Sequence, residues 1–317
     1  MNKELLREGL SVIAQCKPKT GDIWEAHFGA AAIAGYFLIQ GNGIKGEMAG
    51  RIIDQSFAML AAHPYSSGQP DILIPEMEYA AAANMILAAL EPTIGELHWV
   101  GHHVIYSAAS LLALRELGSW GAREDIEGIC LLIRSFERTI PGRSWLGYKT
   151  SEVKRLTEEA EDRFPIIENA EQLSQFILDE LASFEVIYKA ESHHDLIGHM
   201  LTFSHALNVL DDLGYTEYFR RGLPAVLKLV KALRYSRHLS MEDSVPLYSP
   251  VDRLPLIEAG RSEYLPLEPE YWERDYAKLD WDFGHVFKFS HSFYDHIRRV
   301  QDPKPEAFEN FRSVVCS

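Results

Sequence analysis

The sequence has few cysteines and fewer basic than acidic residues, and both facts restrict what the protein does. Three cysteines occur among 317 residues, and none belongs to a Cys-x-x-Cys pair. A disulfide framework and a cysteine-ligated zinc site are therefore not expected. With 31 Lys and Arg against 46 Asp and Glu, the net charge is −15. This balance argues against nucleic acid or an anionic membrane as the main partner, because both bind to basic surfaces.

Long apolar runs are also missing. The most apolar stretch, residues 28–39, is rich in small side chains and is too short to span a bilayer. The N-terminal letters MNKELLREGLSVIAQC include acidic residues and do not have the pattern of a secretory leader. We therefore expect a cytoplasmic protein with no membrane partner, and a homodimer is one assembly that the sequence leaves open. The hydrophobic content of 47% is enough for a sizeable core.

Alternating β-type patterns are rare, whereas apolar residues recur at helical spacing along most of the chain. No low-complexity linker interrupts it. We predict a single all-α domain over residues 1–317, a multi-helix array of closed or toroidal form with internal repeats. One segment differs, because residues 240–280 contain five prolines and no clear helical period. This segment is either a lid over a site or a packed connection.

The letters GNGIKG at residues 41–46 match the glycine pattern of dinucleotide-binding proteins. That function requires a strand before the glycines and a second strand, ending in an acidic residue, about 20 residues later. The preceding residues are Ala-rich with helical spacing, and the following residues form another helical pattern. We therefore interpret these glycines as a helix C-cap followed by a turn.

One pattern occurs three times in the chain: apolar-Gly-His-x-x-x-aromatic-Ser. The copies read VGHHVIYS, IGHMLTFS and FGHVFKFS, with their histidines at His102, His199 and His285. A degenerate fourth copy, WEAH, ends at His27. Each copy lies in a helical apolar run, so the histidine and the aromatic residue four positions later share a helix face. The glycine allows a neighbouring helix or a ligand to approach the backbone.

Equivalent histidines in three repeat helices could converge on one pocket. Imidazoles and a lysine there would move protons or stabilise an oxyanion, and the aromatic rings would stack on a planar substrate. The candidate catalytic residues are His102, His199, His205, His285 and Lys288. The candidate substrate-binding residues are Trp24, His27, His103, Tyr106, Phe203 and Phe289.

A metal site is the alternative chemistry. Three histidines can hold Fe or Zn and leave a coordination position open, and His102, His199 and His285 would be the ligands. Asp195 lies four residues before His199 and shares its helix face. The HExxH motif and paired Glu-x-x-His motifs of helical metalloenzymes are absent. A structural alternative also remains, in which each histidine is a hydrogen-bonded core residue that fixes helix register.

Other residues have simpler interpretations. Cys130 lies in the apolar run GICLLI and is expected to be buried and unreactive. His63, His98 and His238 lie near the ends of predicted elements and are expected at the surface. No GxSxG elbow, P-loop or flavin or nicotinamide motif is present, so no organic cofactor is predicted.

The repeats resemble segments of the questin oxidase-like family. GHVFKFSHSFYDH is similar to that family's C-terminal His-x-Ile-Lys-Phe element, with His285, Lys288 and Phe289 on matching positions. GHHVIYSAASLLAL, with the downstream LLIRSFERTIPG, resembles its central His-Gly-Val-Ile segment, and His102 is the matching residue. HHDLIGHMLTFSHAL resembles a helix whose late histidine corresponds to His205. HFGAAAIAGYFL resembles the Asn-His-Gly-Pro helix with His27 in register, although the Asn and Pro are absent.

This resemblance implies an oxidoreductase of natural-product metabolism. Family members are linked to oxygen insertion and ring opening of anthraquinone-type polyketides in a Baeyer–Villiger-like reaction. The corresponding hypothesis here is that a histidine deprotonates a phenol or hydroquinone, which then reacts with O2 as co-substrate. Two alternatives stay open: a metal-dependent oxygenase or hydrolase with histidine ligands, and a non-catalytic helical protein that binds a small molecule.

Overall fold

The fold is described by a computed structural model that covers residues 3–62, 75–239, 245–278 and 283–316. Within these ranges the chain is almost entirely helical, which confirms the all-α class. The α-helices are Glu4–Thr20 (α1), Ala26–Gly41 (α2), Gly46–Ala61 (α3), Tyr79–Leu90 (α4), His102–Leu117 (α5), Arg123–Arg134 (α6), Thr150–Arg155 (α7), Ala170–Ala182 (α8), Leu196–Asp212 (α9), Thr216–Arg234 (α10), His285–Arg299 (α11) and Pro305–Val314 (α12).

Four two-residue strands form two small antiparallel pairs. Met77–Glu78 (β1) pairs with Ser119–Trp120 (β2), and Trp145–Leu146 (β3) pairs with Leu247–Tyr248 (β4). These ladders are too short to form a sheet layer, and each one only connects two loops by backbone hydrogen bonds.

Packing divides the chain into two compact units, each assembled from separate stretches of sequence. The first unit contains Met1–Thr93, His103–Glu137 and Tyr264–His291. The second unit contains Ile94–His102, Arg138–Glu263 and Ser292–Ser317. The single-domain organisation expected from the sequence stays a prediction.

Small residues let three helices of the first unit pack with their backbones in contact. In α1, a β-carbon placed on Gly9 would lie 2.8 Å from the carbonyl oxygen of Gly29 in α2. A β-carbon on Gly128 of α6 would clash with the carbonyl of Ala14. The Ala-rich sequence of α2 therefore serves helix packing, and the helix is buried along almost its whole length.

The second unit packs larger side chains around α9. Gly222 of α10 contacts Leu207 of α9, while Phe293 of α11 stacks on Phe311 of α12 with ring centroids 3.8 Å apart. Helix α8 begins at a side-chain cap, because Asn169 accepts a hydrogen bond from the backbone N–H of Gln172. The result is an apolar core around α9, which carries His199 and His205.

Glycines in the left-handed region start two of the repeat helices. Gly101 has φ 96° directly before α5, and Gly284 has φ 67° directly before α11. A side chain on Gly101 would clash with Phe203, and one on Gly284 would clash with Ala31. Helices α5 and α11 therefore begin at the histidine itself.

The second repeat differs from the other two. Gly198 lies inside α9, whose residues are helical from Leu196 onward, and a single π-helical turn, Glu191–Asp195, precedes it. The helical run predicted for this repeat is confirmed over Leu196–Asp212, and the turn before it has the wider π geometry. The three sequence repeats are thus not three copies of one local structure.

The GNGIKG segment is a turn between two helices, as predicted. Helix α2 ends at Gly41, and Gly43 and Gly46 have φ values of 61° and 65°. Helix α3 begins at Gly46. In the described part of the chain, the glycines lie between helices and lack the strand that a dinucleotide site requires. No helix there has the length and hydropathy needed to cross a membrane.

The described residues of the Pro-rich segment are divided between the two units, and in each unit they contact elements that precede them in the chain. In the second unit, residues 245–263 pair through β4, and Ala259 and Ile257 exchange backbone hydrogen bonds with Ile187 and Lys189. In the first unit, Gln55 donates to the carbonyls of Trp272 and Arg274. Residues 240–244 and 279–280 lie outside the described residues, and the lid hypothesis stays a prediction.

Substitution of Gly9 by alanine tests the packing of α1 on α2. Its β-carbon would meet the carbonyl of Gly29 and the side chain of Ile33, so we expect a loss of roughly 1–3 kcal/mol in the free energy of unfolding. Gly50→Ala is the matched control, because no atom lies within 4 Å of its β-carbon position in α3. Alanine there should be neutral or stabilising by up to about 1 kcal/mol. Urea titrations that rank the two variants the other way would contradict the close packing.

Candidate functional site

Six aromatic and imidazole rings form a cluster in the first unit, here called the aromatic–histidine cluster. His27 lies at its centre, with ring centroids 5.5 Å from Phe283 and His285 and 5.6 Å from Trp24 and Tyr106. The members are Trp24, His27, Tyr106, Phe283, His285 and Phe289. His27 and Tyr106 are fully buried, whereas Trp24, Phe283 and His285 are half-buried. The cluster therefore has a fully buried side and a half-buried side.

Hydrogen bonds fix the tautomer of His27. Its Nδ1 lies 2.9 Å from the carbonyl oxygen of Trp24 and 2.7 Å from the hydroxyl of Tyr106. A carbonyl oxygen can only accept, so we assign the proton to Nδ1. Tyr106 then donates its hydroxyl proton to the carbonyl of Ile23, at 3.3 Å. This arrangement leaves the lone pair of the imidazole on Nε2, where it can accept a proton or bind a metal.

Tyr106 stays neutral in this environment. Burial raises the pKa of its phenol well above the usual value of 10, and the nearby Cys16 and Asp22 raise it further. The hydroxyl therefore remains a hydrogen-bond donor and acceptor that orients His27, and it does not act as an acid near neutral pH.

Helix α11 contributes the other half of the cluster. The ring of His285 stacks on Phe289, one turn later, with centroids 4.8 Å apart and planes 5° apart. This confirms that the histidine and the aromatic residue of the third repeat share a helix face. Lys288 lies between them in sequence and is only 4% exposed, so its ammonium group belongs to the interior of the first unit.

A second group of potential ligands lies in the second unit. The rings of His102 and His199 are 4.6 Å apart, centroid to centroid. His199 Nε2 lies 3.7 Å from Asp195 Oδ2, one turn earlier on the same helix. The ligand atoms of Asp195 and His199 are close enough to bind one metal ion. We call Asp195 and His199 the His–Asp group. Among the described residues, His102 is not in a set of three ligand side chains close enough to share an ion, so its role as a metal ligand stays a prediction.

The tautomer of His102 is fixed in the same way as that of His27. Its Nδ1 donates to the carbonyl of Trp99, three residues earlier. Val100, between them, has φ 50°, an outlier for a β-branched residue. Backbone hydrogen bonds from Trp99 and Val100 to the carbonyls of Ile140 and Pro141 hold this conformation. The strained helix entry therefore places Nε2 of His102 as the basic nitrogen.

The shared motif behind both tautomers is Trp-x-x-His, in the letters WEAH and WVGH. As a degenerate copy of the Gly-His pattern, WEAH gives the tryptophan no role in setting a tautomer. The two sites share a carbonyl three residues before a histidine at a helix start, and this carbonyl accepts both the backbone N–H and the Nδ1–H of that histidine. The tryptophan at this position is a signal that could have been noticed.

The π-helical turn that carries Asp195 is held by a carboxylate from the Pro-rich segment. The two oxygens of Asp252 accept the backbone N–H groups of Glu191 and Ser192, each at 2.9 Å. Glu191 in turn pairs with Arg143, with Nη2 and Oε2 2.6 Å apart. These bonds fix the start of α9 and so the position of Asp195 relative to His199.

His205 belongs to another polar group of the second unit. Its Nδ1 lies 3.0 Å from the hydroxyl of Ser292, and its Nε2 lies 3.7 Å from Asp295. Asp295 also pairs with Arg298 and Arg299 at 2.7 Å each. His205 is thus held by a buried hydrogen-bond network on α9 and α11, one turn and more beyond His199 in sequence.

The other predicted site residues have contacts typical of the core. His103 is fully buried, and its Nε2 lies 3.1 Å from the carbonyl of Thr93. Phe203 is fully buried beneath Gly101 in the second unit. Cys130 is buried, as predicted, and burial raises the pKa of its thiol. Three histidines were expected at the surface. His238 is exposed, and His63 lies outside the described residues. The prediction for His98 is wrong, because His98 is buried beside Thr139.

Two fully buried histidines, His193 and His296, were given no site role in the sequence analysis. Burial lowers the pKa of His296 to about 4 and that of His193 to about 3. His296 donates from Nε2 to the carbonyl of Leu201, at 3.1 Å, and accepts at Nδ1 from Ser174, at 2.9 Å. These histidines outside the repeats have no sequence signal that separates them from surface histidines, because their environment comes from distant elements.

The predicted site residues are divided between the two units of the chain. His27, Tyr106, His285, Lys288 and Phe289 belong to the first unit, and Trp24 joins them. His102, His199, His205 and Phe203 belong to the second unit. Comparison of the chain with protein-family models, with curated proteins and with solved structures finds no match. The resemblance to questin oxidase-like proteins stays a prediction, and function is inferred from the side chains.

Because His296 is buried and neutral in the folded protein, we predict that the free energy of unfolding depends on pH. The unfolded chain binds a proton at His296 near pH 6.5, whereas the folded chain does so only near pH 4. Stability is therefore full above about pH 6.5 and falls as the pH is lowered towards 4, by roughly 3 kcal/mol for this group. Thermal unfolding between pH 7 and pH 4.5 should show a shallower decline for His296→Gln than for the wild type. Exposed His238→Gln is the control, and equal slopes in all three proteins would contradict the assignment.

Proposed function

We propose that this protein is an oxidoreductase that uses O2 to oxidise or cleave a hydroxylated aromatic or quinone-type small molecule, in the manner of questin oxidase-like proteins. The observation that carries the proposal is the aromatic–histidine cluster. It combines a buried imidazole of fixed tautomer, His27, with stacked aromatic rings and a half-buried edge. Such a surface suits a planar substrate with an acidic hydroxyl group.

The first step is removal of the phenolic proton. Nε2 of His27 accepts it, and Nδ1 keeps its own proton on the carbonyl of Trp24. The imidazolium that forms is stabilised by that carbonyl and by the hydroxyl oxygen of Tyr106. Histidine is suited to the task because its ordinary pKa lies close to neutral pH.

The phenolate then reduces dioxygen. A hydroquinone gives two electrons and two protons to O2, which yields a quinone and hydrogen peroxide. In the ring-cleaving form of the reaction, both atoms of O2 enter the product, so neither version needs an added reductant. The buried ammonium of Lys288 and the imidazole of His285 stabilise the anions of either version.

His27→Gln and His285→Gln should each lower oxygen consumption by about 100-fold or more, the scale of lost acid–base catalysis. The measurement is oxygen uptake with a panel of di- and trihydroxylated aromatics and anthraquinones, compared with an anaerobic sample. His238→Gln is the matched control, since that imidazole is exposed. Far-ultraviolet circular dichroism verifies that each variant is folded.

Full activity in both cluster variants would overturn the proposal. Binding of an aromatic without oxygen uptake by the wild type would also overturn it, in favour of a non-catalytic binding protein.

A metal-dependent oxygenase is the second candidate, and the His–Asp group favours it. The ligand atoms of Asp195 and His199 lie within 4.8 Å of each other. Imidazole and carboxylate are ligands of non-haem Fe(II) oxygenases and also suit Zn. A metal there would activate O2 or water, while His199 and Asp195 would hold it and the π-turn would fix the carboxylate.

Elemental analysis separates the two candidates. A metal enzyme should contain about one Fe or Zn per chain, and His199→Ala or Asp195→Asn should lose most of it. The variant His238→Gln should retain the metal. A metal-free wild-type protein that consumes oxygen would exclude the second candidate and leave the first. Metal retained in His199→Ala would place it outside this group.

A further inference from the structure

A cavity in the second unit lies outside both groups of histidines. It has a volume of about 210 Å³ and lies between α10 and the segments at residues 95–96 and 156–164. Its apolar wall is formed by Leu156, Phe164, Pro224 and Leu227. Arg234 covers Phe164 at 4.5 Å from the ring centroid and so fixes the ring. A cavity of about 150 Å³ holds benzene, so this one has room for a substituted benzene.

Two lysines of α10 reach this cavity, and one is saturated by protein groups. Lys231 Nζ donates to Asp162, Glu159 and the carbonyl of Thr157 at 2.8, 3.0 and 2.9 Å. An ammonium group has three donors, so Lys231 has none left for a ligand. Its hydrogen bond with Asp162 raises its pKa, which keeps it charged.

Lys228, one turn earlier, is only partly satisfied. Among the described residues its Nζ makes one hydrogen bond, of 3.2 Å, to the carbonyl of Lys154. The carboxylate of Glu96 lies 3.8 Å away, beyond hydrogen-bond distance, and is mostly exposed. The side chain of Lys228 is 17% exposed. Two of its donors therefore remain for a group inside the cavity.

We infer that this cavity binds a small aromatic monocarboxylate, with its ring on the wall of Phe164, Pro224 and Leu227 and its carboxylate on Lys228. The ligand should carry only one negative charge, because Lys231 is already neutralised and the exposed Glu96 and Glu158 line the same cavity. Both carboxylates would repel a dianion. This site requires neither the proposed oxidation nor the metal.

The test is calorimetric titration of the full chain with benzoate. One benzoate should bind per chain, and Lys228→Met should weaken binding about tenfold, the value of one charged hydrogen bond. Glu96→Gln should strengthen it a few-fold, because a competing carboxylate is removed. Lys45→Met, which removes an exposed lysine of the first unit, is the control and should bind as the wild type does.

Benzyl alcohol and benzylamine, of similar shape but without the negative charge, should bind more weakly than benzoate by about tenfold or more. Failure of benzoate to bind the wild type would overturn the inference. Equal binding of benzoate and benzyl alcohol, or an unchanged affinity in both Lys228→Met and Glu96→Gln, would overturn it as well. The Glu96→Gln result decides the matter if Lys228→Met does not fold.

Discussion

One type of hydrogen bond, present at two helix starts, sets the tautomers of His27 and His102. At the starts of α2 and α5, a histidine donates from Nδ1 to the carbonyl oxygen three residues earlier, His27 to Trp24 and His102 to Trp99. The same carbonyl also accepts the backbone N–H of the histidine, and the added side-chain bond selects one imidazole tautomer. The opposite nitrogen then carries the lone pair. In the first unit the proposed oxidation uses this nitrogen of His27 to accept a proton, and in the second unit Nε2 of His102 is the basic nitrogen.

The surrounding fold keeps these helix entries in place. Gly101 and Gly284 adopt left-handed conformations that other residues rarely take, and neighbouring side chains fill the space that a β-carbon would occupy. The close packing of α1, α2 and α6 through small residues fixes the helix that follows His27. In the second unit, Asp252 secures the π-turn from the Pro-rich segment. Rigid entries of this kind hold catalytic groups better than loops do.

Much of the fold could be predicted from the sequence, whereas the candidate site could be predicted only in part. Periodicity gave the all-α class and the repeat helices, because apolar spacing is local information. The neutral state of His296 and the role of Asp252 depend on residues far away in sequence, so no local sequence pattern predicts them. His103 and Phe203 match the site pattern and also have contacts typical of the core, since a ring buried for packing and one buried for binding have the same spacing. The equivalence of the three Gly-His copies failed because Gly198 is helical.

The most direct measurement is long-range ¹H–¹⁵N correlation spectroscopy of the protein labelled with ¹⁵N-histidine at neutral pH. Signals of His27 and His102 are assigned by their loss in His27→Gln and His102→Gln. The account predicts that both rings are neutral, with the proton on Nδ1 and the lone pair on Nε2. A proton on Nε2 of either ring, with Nδ1 bare beside the carbonyl oxygen, would contradict this prediction, and in His27 it would remove the base of the proposed oxidation.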